Sequence, residues 1–250
     1  MSGFLKIEQA IETKLLDDLK TDIESKLVNY SKALKHLGGL RSGHLNATIG
    51  RHASILHEEL MSGEVYQEIE KNFKIDLNNY LVTVGCNLNF PGSVEQHIHR
   101  DTNFDDRKII INIPCVDVNE INGSIELYLN SELYPYSYLE FLMNSKKLKP
   151  IRANSNKGDI LIRDSNLFHR GMTNHSDQVR VMVAFVFTKK LDNDNQNLNT
   201  EFPENIEFFE NWYKNNQFGK IKEILFIKLP IIRSLYRIIK SLYKPRGAAT

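Results

Sequence analysis

From Asn79 onward the apolar residues of this chain stop recurring at helical spacing and begin to alternate. That change of period constrains the fold more than any other feature. Residues 80–89, 108–116, 124–130, 158–163 and 179–188 are short runs rich in Ile, Val, Leu, Phe and Tyr, bounded by Gly, Asn, Asp or Pro. β-branched and aromatic side chains suit a pleated, half-buried surface, and the bounding residues favour turns. Five such runs within about 110 residues predict an antiparallel barrel or sandwich.

The flanks read as helix. Phe4, Ile7, Ile11, Leu15, Leu16, Leu19, Ile23 and Leu27 recur at helical spacing, so residues 4–37 are expected to form one helix ended by Gly38-Gly39. A second helical region covers 53–73, interrupted near Ser62-Gly63; residues 132–149 read as a helical or irregular insertion. The stretch 191–205, rich in Asn and Asp, reads as an exposed loop, and helices return over about 207–244. The fold class is therefore α+β with a mainly β core. One domain is expected over 1–206, with a helical region 1–77 and a β core 78–190, followed by a helical tail 207–250.

Lys plus Arg number 32 and Asp plus Glu 31, a net charge of +1 that excludes a generally basic nucleic-acid coat. The balance conceals an asymmetry. Between Lys214 and Arg246 stand nine basic residues and one acid, Glu223, so this stretch carries +8 and the rest −7. After Pro230, which suits the first turn of a helix, Ile231, Ile232, Leu235, Tyr236, Ile238, Ile239, Leu242 and Tyr243 form an apolar stripe. Arg233, Arg237, Lys240 and Lys244 form a basic one. Such a helix either docks its apolar stripe on the barrel or on a second subunit, or lies on an anionic membrane surface. Lys228, Pro230, Arg233 and Arg237 break the apolar region 224–239, so a bilayer span is not expected. Glu8, Glu12, Asp17 and Asp18 interrupt any apolar leader, and two cysteines, Cys86 and Cys115, exclude a disulfide framework and read as small buried hydrophobes. A cytoplasmic protein is expected, peripheral at the membrane if the tail binds lipid.

The chemistry concentrates in two clusters inside the β-rich region. In Gln96-His97-Ile98-His99-Arg100-Asp101, residues two apart on an extended strand point the same way, so His99 and Asp101 can aim at one point. About 70 residues later, the run from Gly158 to Arg163 leads through a turn to His169. Two histidines and a carboxylate make the facial triad of non-haem iron(II) sites, which leaves open positions on the metal. Arg180 stands 11 residues after His169 on an otherwise apolar strand. Burying its guanidinium unpaired is costly, and a carboxylate clamped bidentately would be a partner. His97 shares the expected face of His99, so a cupin-like His97/His99 pair competes with the triad. The sequel Asp101-Thr102-Asn103-Phe104-Asp105 nevertheless lacks the Glu and Gly of a cupin motif. His175 reads as a loop residue. His52 and His57, five apart on a helix, do not share a face and read as solvated or core histidines. Asp164 is a candidate partner for His169.

Together, Gln96-x-x-His99-x-Asp101, the Asn122-Gly123-Ser124 turn, the Gly158-Asp159-Ile160-Leu161 strand leading to His169, and Arg180 resemble the phytanoyl-CoA dioxygenase family of iron(II)- and 2-oxoglutarate-dependent oxygenases. The resemblance covers roughly residues 78–188. It implies a double-stranded β-helix (a jelly-roll, cupin-like barrel), iron(II) on His99, Asp101 and His169, and 2-oxoglutarate held at its distal carboxylate by Arg180. It also implies dioxygen as co-oxidant, with succinate and carbon dioxide as coproducts, and gives Asp159 a structural role. A related halogenase carries a small residue in place of the carboxylate, so Asp101 implies hydroxylation or another ordinary oxidation. The family often has Gly-Ser-His after the Asn-Gly strand. Here Leu129-Asn130-Ser131-Glu132 stands where substrate contacts are expected, which leaves the substrate open among small molecules and glycan- or lipid-linked intermediates. A cupin-like metalloenzyme that ignores 2-oxoglutarate and a non-catalytic barrel acting as an interaction module remain as alternatives.

Overall fold

Strand β9 (Arg180–Lys189) organises the molecule because both its edges and both its faces are used. It pairs antiparallel with β3 (Tyr80–Asn89) over ten residues and, on the other side, with β4 (Lys108–Pro114). Adding β1 (Phe4–Ile7), β2 (His44–Ala47), β7 (Ile160–Asp164) and β10 (Phe208–Phe209) gives a seven-stranded sheet in the order β1-β7-β4-β9-β3-β2-β10. A second sheet, β6-β5-β8, joins β5 (Ile125–Leu127), β6 (Ile151–Ala153) and β8 (His169–Gly171). All strand pairs are antiparallel. This computed structural model describes residues 3–37, 42–61, 64–190, 201–209 and 217–249.

Alternation divides the large sheet into a dry face and a wet one. Val181, Val183, Phe185 and Phe187 of β9, with Ile109, Ile111 and Ile113 of β4 and Ile160 and Ile162 of β7, are buried on one side. There they meet Leu16, Leu19 and Ile23 of α1 (Thr13–Leu37), Leu56 and Leu60 of α2 (His52–Met61), and Ile69 and Phe73 of α3 (Glu64–Phe73). The intervening Arg180, Met182, Ala184 and Val186 line a cavity beside Ile110 and Asn112 of β4 and Arg163 of β7. Between the sheets, Ile125, Leu127 and Ala153 pack on Leu161 and Met182. Strands covered on both faces read as nearly unbroken apolar runs, as β4 and β7 do, and a polar residue inside one, such as Asn112, Arg163 or Arg180, marks the cavity side.

The five expected runs all carry strands, and β3 keeps its predicted limits. Residues 132–149 include the short helix α4 (Tyr138–Asn144), opened by a capping box between Ser137 and Glu140. The N-terminal region differs from expectation at two points. Residues 4–7 form β1 on the edge of the sheet, with Phe4 opposite Arg163, and the helix begins only at Thr13. Four residues cannot distinguish a period of 2 from one of 3.6, and the open edge of β7 decides. Asp159 fixes this turn: its carboxylate accepts Gln9 N–H at 3.1 Å and Asn156 N–H at 2.8 Å and pairs with Lys6 Nζ at 3.0 Å. Residues 44–47, also expected within the helical region, form β2 beside β3. Helix α2 stops at Met61 and α3 starts at Glu64, as the Ser62-Gly63 break predicts. The predicted stop at Gly38-Gly39 and residues 191–200 of the predicted loop lie outside the described residues. Cys86 and Cys115 are buried free thiols, and burial pushes the Cys86 thiol up to about 12.

Two helices, α5 (Gln217–Lys228) and α6 (Pro230–Leu242), follow with Pro230 in the first turn of α6. Of the alternatives for the apolar stripe, their orientation goes against docking on the barrel for most of its residues. Ile231, Leu235, Ile239 and Leu242 are 75, 53, 56 and 66% exposed, whereas Arg237 and Lys240 line the cavity. Of the stripe, Ile238 packs inward, against the Tyr128, Tyr138, Phe141 and Phe168 rings. The end of the chain returns to the loop after Asp101, where Phe104 N–H donates to Gly247 O at 2.7 Å and Ala249 N–H to Asn103 Oδ1 at 2.9 Å.

Phe185, fully buried among the His57 and Phe202 rings, tests the dry face. Phe185→Ala is expected to cost about 3–5 kcal/mol, read as a lowered urea midpoint. Ile231→Ala, on the exposed stripe, should change it by less than about 0.5 kcal/mol.

Candidate metal centre

The two clusters meet through the main chain. His99 and His169 exchange reciprocal N–H···O bonds, both 2.9 Å, and this isolated bridge sets their side chains on one face. Around it, Gln96 N–H donates to Gly171 O at 2.8 Å while the Gln96 Oε1 accepts Gly171 N–H at 2.9 Å. Asp101 N–H donates to Ser165 O at 3.0 Å, and the Thr102 and Ser165 hydroxyls lie 2.6 Å apart. The 96–102 segment is thus stitched to β8 and to the turn preceding it.

What converges there is His99, Asp101 and His169. His99 Nε2 lies 3.4 Å from Asp101 Oδ1, and His169 Nε2 lies 3.6 Å from Asp101 Oδ2. All three ligand atoms fall within 4.8 Å of one another, a spacing that could hold a metal ion, and this is the cluster of that kind among the described residues. The Nδ1 of His99 is 2.8 Å from His97 O and that of His169 is 2.9 Å from Leu167 O. A carbonyl can only accept, so each Nδ1 carries a proton and each Nε2 is the ring nitrogen turned to the centre. Burial, then the charge of Arg163, holds the His169 imidazole well below its usual pKa, so it stays neutral. Burial opposes ionisation of Asp101, but Arg163, and then His169 and His99, hold its carboxyl well below the usual range. Two imidazoles and a carboxylate suit a divalent cation of the iron type.

Arg163 carries a part of this arrangement that sequence reasoning missed. From the wet face of β7 its Nη1 reaches Asp101 Oδ2 at 2.7 Å and its Nε donates to Asn112 Oδ1 at 3.2 Å. The signal was present: the argument applied to Arg180, a guanidinium within an apolar strand, applies equally to Arg163. Asp164, proposed as a partner of His169, instead pairs with Arg107 and accepts Asn166 N–H at 2.9 Å. It belongs to the turn and not to the imidazole.

Arg180 is buried, 3% exposed, and makes one side-chain bond, from Nη2 to Asn87 Oδ1 at 3.2 Å; Asn87 in turn donates to Asn46 at 3.1 Å. Its Nε has no acceptor, and burial alone pulls its pKa down to about 10. A buried guanidinium facing only a neutral amide is a site for an anion. Both Arg180 and the three converging groups line one cavity of about 940 Å³, roomy enough for a small dicarboxylate and a second molecule. His97 lies on its wall with its ring 4.7 Å from that of His99, outside the convergent set. His175 is exposed on its loop, His52 bonds Asp22 at 2.8 Å, and His57 packs on Phe185 and Phe202.

Two features of the cavity differ from expectation. The 129–132 segment is not on its wall: Ser131 Oγ accepts Phe168 N–H at 2.8 Å and Glu132 accepts Gly3 N–H at 2.9 Å. Those side chains hold the hairpin and the N-terminus. In their place α5 and α6 supply Lys222, Phe226, Tyr236, Arg237 and Lys240. Six cations, Lys108, Arg163, Arg180, Lys222, Arg237 and Lys240, therefore line the cavity with one carboxylate, Asp101.

Asp101→Ala removes the carboxylate and leaves Arg163 facing Asn112. Cobalt(II) or nickel(II) titrated by calorimetry should no longer bind, and stability should fall by about 1–3 kcal/mol. Adding Arg163→Met should recover most of that stability without restoring the metal.

A family model described as phytanoyl-CoA dioxygenase matches residues 2–182. Among solved structures, AviO1 from Streptomyces viridochromogenes Tue57 superposes with a TM-score of 0.60 at 18% identity, covering 75% of this chain and 90% of that one. The non-heme alpha-ketoglutarate-dependent carbocyclase SnoK from nogalamycin biosynthesis gives 0.57 at 14%, covering 75% and 80%. HygX from Streptomyces hygroscopicus, with nickel and 2-oxoglutarate bound, gives 0.54 at 12%, covering 76% and 84%. These identities speak to the fold, a cupin-like double-stranded β-helix. The family match spans most of the sequence, including both segments that meet at the His99–His169 bridge, and on it the chain belongs to the phytanoyl-CoA dioxygenase family, enzymes of the 2-oxoglutarate oxygenase type that use iron(II), 2-oxoglutarate and dioxygen.

Proposed function

We propose that this chain is a dioxygenase that hydroxylates a small-molecule or biosynthetic substrate, with His99, Asp101 and His169 holding iron(II) and Arg180 holding the distal carboxylate of 2-oxoglutarate. The observation that carries the reading is the short-handed Arg180 guanidinium, buried in the same cavity as the three converging ligands. A cosubstrate with two carboxylates satisfies both ends of that cavity at once. Bound iron would supply activation of dioxygen coupled to oxidative decarboxylation of 2-oxoglutarate to succinate and carbon dioxide, with substrate oxidation as the outcome.

The protein's own groups prepare that chemistry. The main-chain carbonyls of His97 and Leu167 fix both imidazole tautomers, so no reorganisation is needed when a metal enters. Arg163 keeps Asp101 ionised and fixes Oδ2, leaving Oδ1 turned towards His99. Ile110, Ile125, Met182, Ala184 and Val186 give the cavity apolar walls that limit water near the reacting atoms. Retention of the Asp101 carboxylate favours hydroxylation over halogenation. The excess of cations on the wall favours a substrate that carries an anionic group. The cupin-type alternative loses its support with His97 outside the convergent set.

Succinate release from 2-oxoglutarate with iron(II) present is the direct assay, with a metabolite screen for compounds that stimulate it. His99→Ala should abolish release. Arg180→Met should weaken 2-oxoglutarate binding by about 10²-fold while cobalt(II) affinity stays the same. Unchanged 2-oxoglutarate affinity in that variant would remove Arg180 from the reading.

A further inference from the structure

Helices α5 and α6 are amphipathic in the unexpected sense. Their cations Lys222, Arg237 and Lys240 line the cavity, Arg233 donates to Glu95 O at 3.3 Å, and Phe226 and Ser241 are buried. Their outer face carries exposed Ile221, Leu225, Leu229, Ile231, Leu235 and Ile239, continued by Leu242 and Tyr243. A continuous apolar face across two consecutive helices is an interaction surface, not scattered surface hydrophobes.

Charge selects the occupant. The 214–246 stretch carries +8 with Glu223 as its one acid, so pairing this face with the same face of a second copy would bring two strongly positive segments together. An anionic lipid surface is complementary to it: apolar side chains enter the acyl boundary while Lys228, exposed beside Leu229 and Pro230, reaches phosphates. At 13 residues α6 is about 20 Å long, and no described helix is long and apolar enough to cross a membrane, which suits a helix lying in the interface plane. We propose that α5 and α6 form an interfacial anchor that lies on an anionic bilayer and holds the mouth of the cavity at the lipid surface. Lys222, Arg237 and Lys240, which face away from the lipid, line the cavity, so an amphiphile with an anionic headgroup would meet their charges on entering it. That last step rests on the oxygenase reading; the anchor itself does not.

The test uses the full-length protein and sedimentation with vesicles of phosphatidylcholine alone or mixed with phosphatidylglycerol. The protein should partition onto the mixed vesicles, weakly onto the neutral ones, and less as salt is raised. Leu235→Asp with Ile239→Asp, both on the outer face, should weaken partition by about tenfold or more while thermal stability and 2-oxoglutarate affinity hold. Three results would overturn the anchor: no partition of the unsubstituted protein, equal partition of the substituted one, or a stable dimer that the two substitutions dissociate, which assigns the face to a second copy. Succinate release measured without vesicles reports separately on the oxygenase reading.

Discussion

The reciprocal pair of main-chain hydrogen bonds between His99 and His169 is the contact on which the rest of the site depends. It joins an irregular segment to β8, an outer strand of the smaller sheet. Because a hydrogen-bonded antiparallel pair sends both side chains to one face, the backbone alone brings two imidazoles within 4.3 Å ring to ring. Gln96 and Thr102 clamp the two ends of that segment, so a register slip would have to break side-chain and main-chain bonds together. Asp101 then needs no strain to reach the centre, since it lies two residues beyond His99 with its N–H on Ser165.

Charge inside the barrel follows a second rule. Arg163 and Arg180 occupy the wet face of adjacent regions of one sheet, and each could cost several kcal/mol if left without partners. Arg163 is satisfied by Asp101 and Asn112, and so serves the protein as it stands. Arg180 is satisfied by Asn87 at one nitrogen and by nothing at Nε, a cost of about 1–3 kcal/mol retained in the fold. Beside the three converging ligands, that shortfall is what the proposed 2-oxoglutarate site would fill. The contrast between the two arginines separates a residue already paired with the centre from one that, in the proposed reading, receives a molecule.

The same contrast explains what the sequence could tell. Period 2 located the five main strands, and His-x-Asp, a later His and Arg180 were legible because each is a polar residue where the pattern demands an apolar one. Residues 4–7 and 44–47 were not, since four residues carry too little periodicity and it is pairing with β7 and β3 that makes them strands. Strands β6 and β8, three residues each, are shorter still. Arg163 bore the same mark as Arg180 and was passed over. Asp164 looked adjacent to His169 in sequence, but alternation within β7 turns it away from the wet face that Arg163 occupies.

The tail shows where pattern reading has a blind side. Helical periodicity in 231–244 establishes that two faces exist but carries no sign, and the usual assignment of apolar to inside assumes that inside means a packed core. Here the inner face of α6 meets a cavity rather than a packed core, so cations face inward and Ile231, Leu235 and Ile239 outward. Six cations against one carboxylate give the wall an excess of five positive charges. A divalent metal and a dianionic cosubstrate cancel each other and leave that excess untouched. An anionic substrate, or the anions of an adjoining surface, is complementary to that excess, and Lys222, Arg237 and Lys240 of the same pair of helices supply half of its cations.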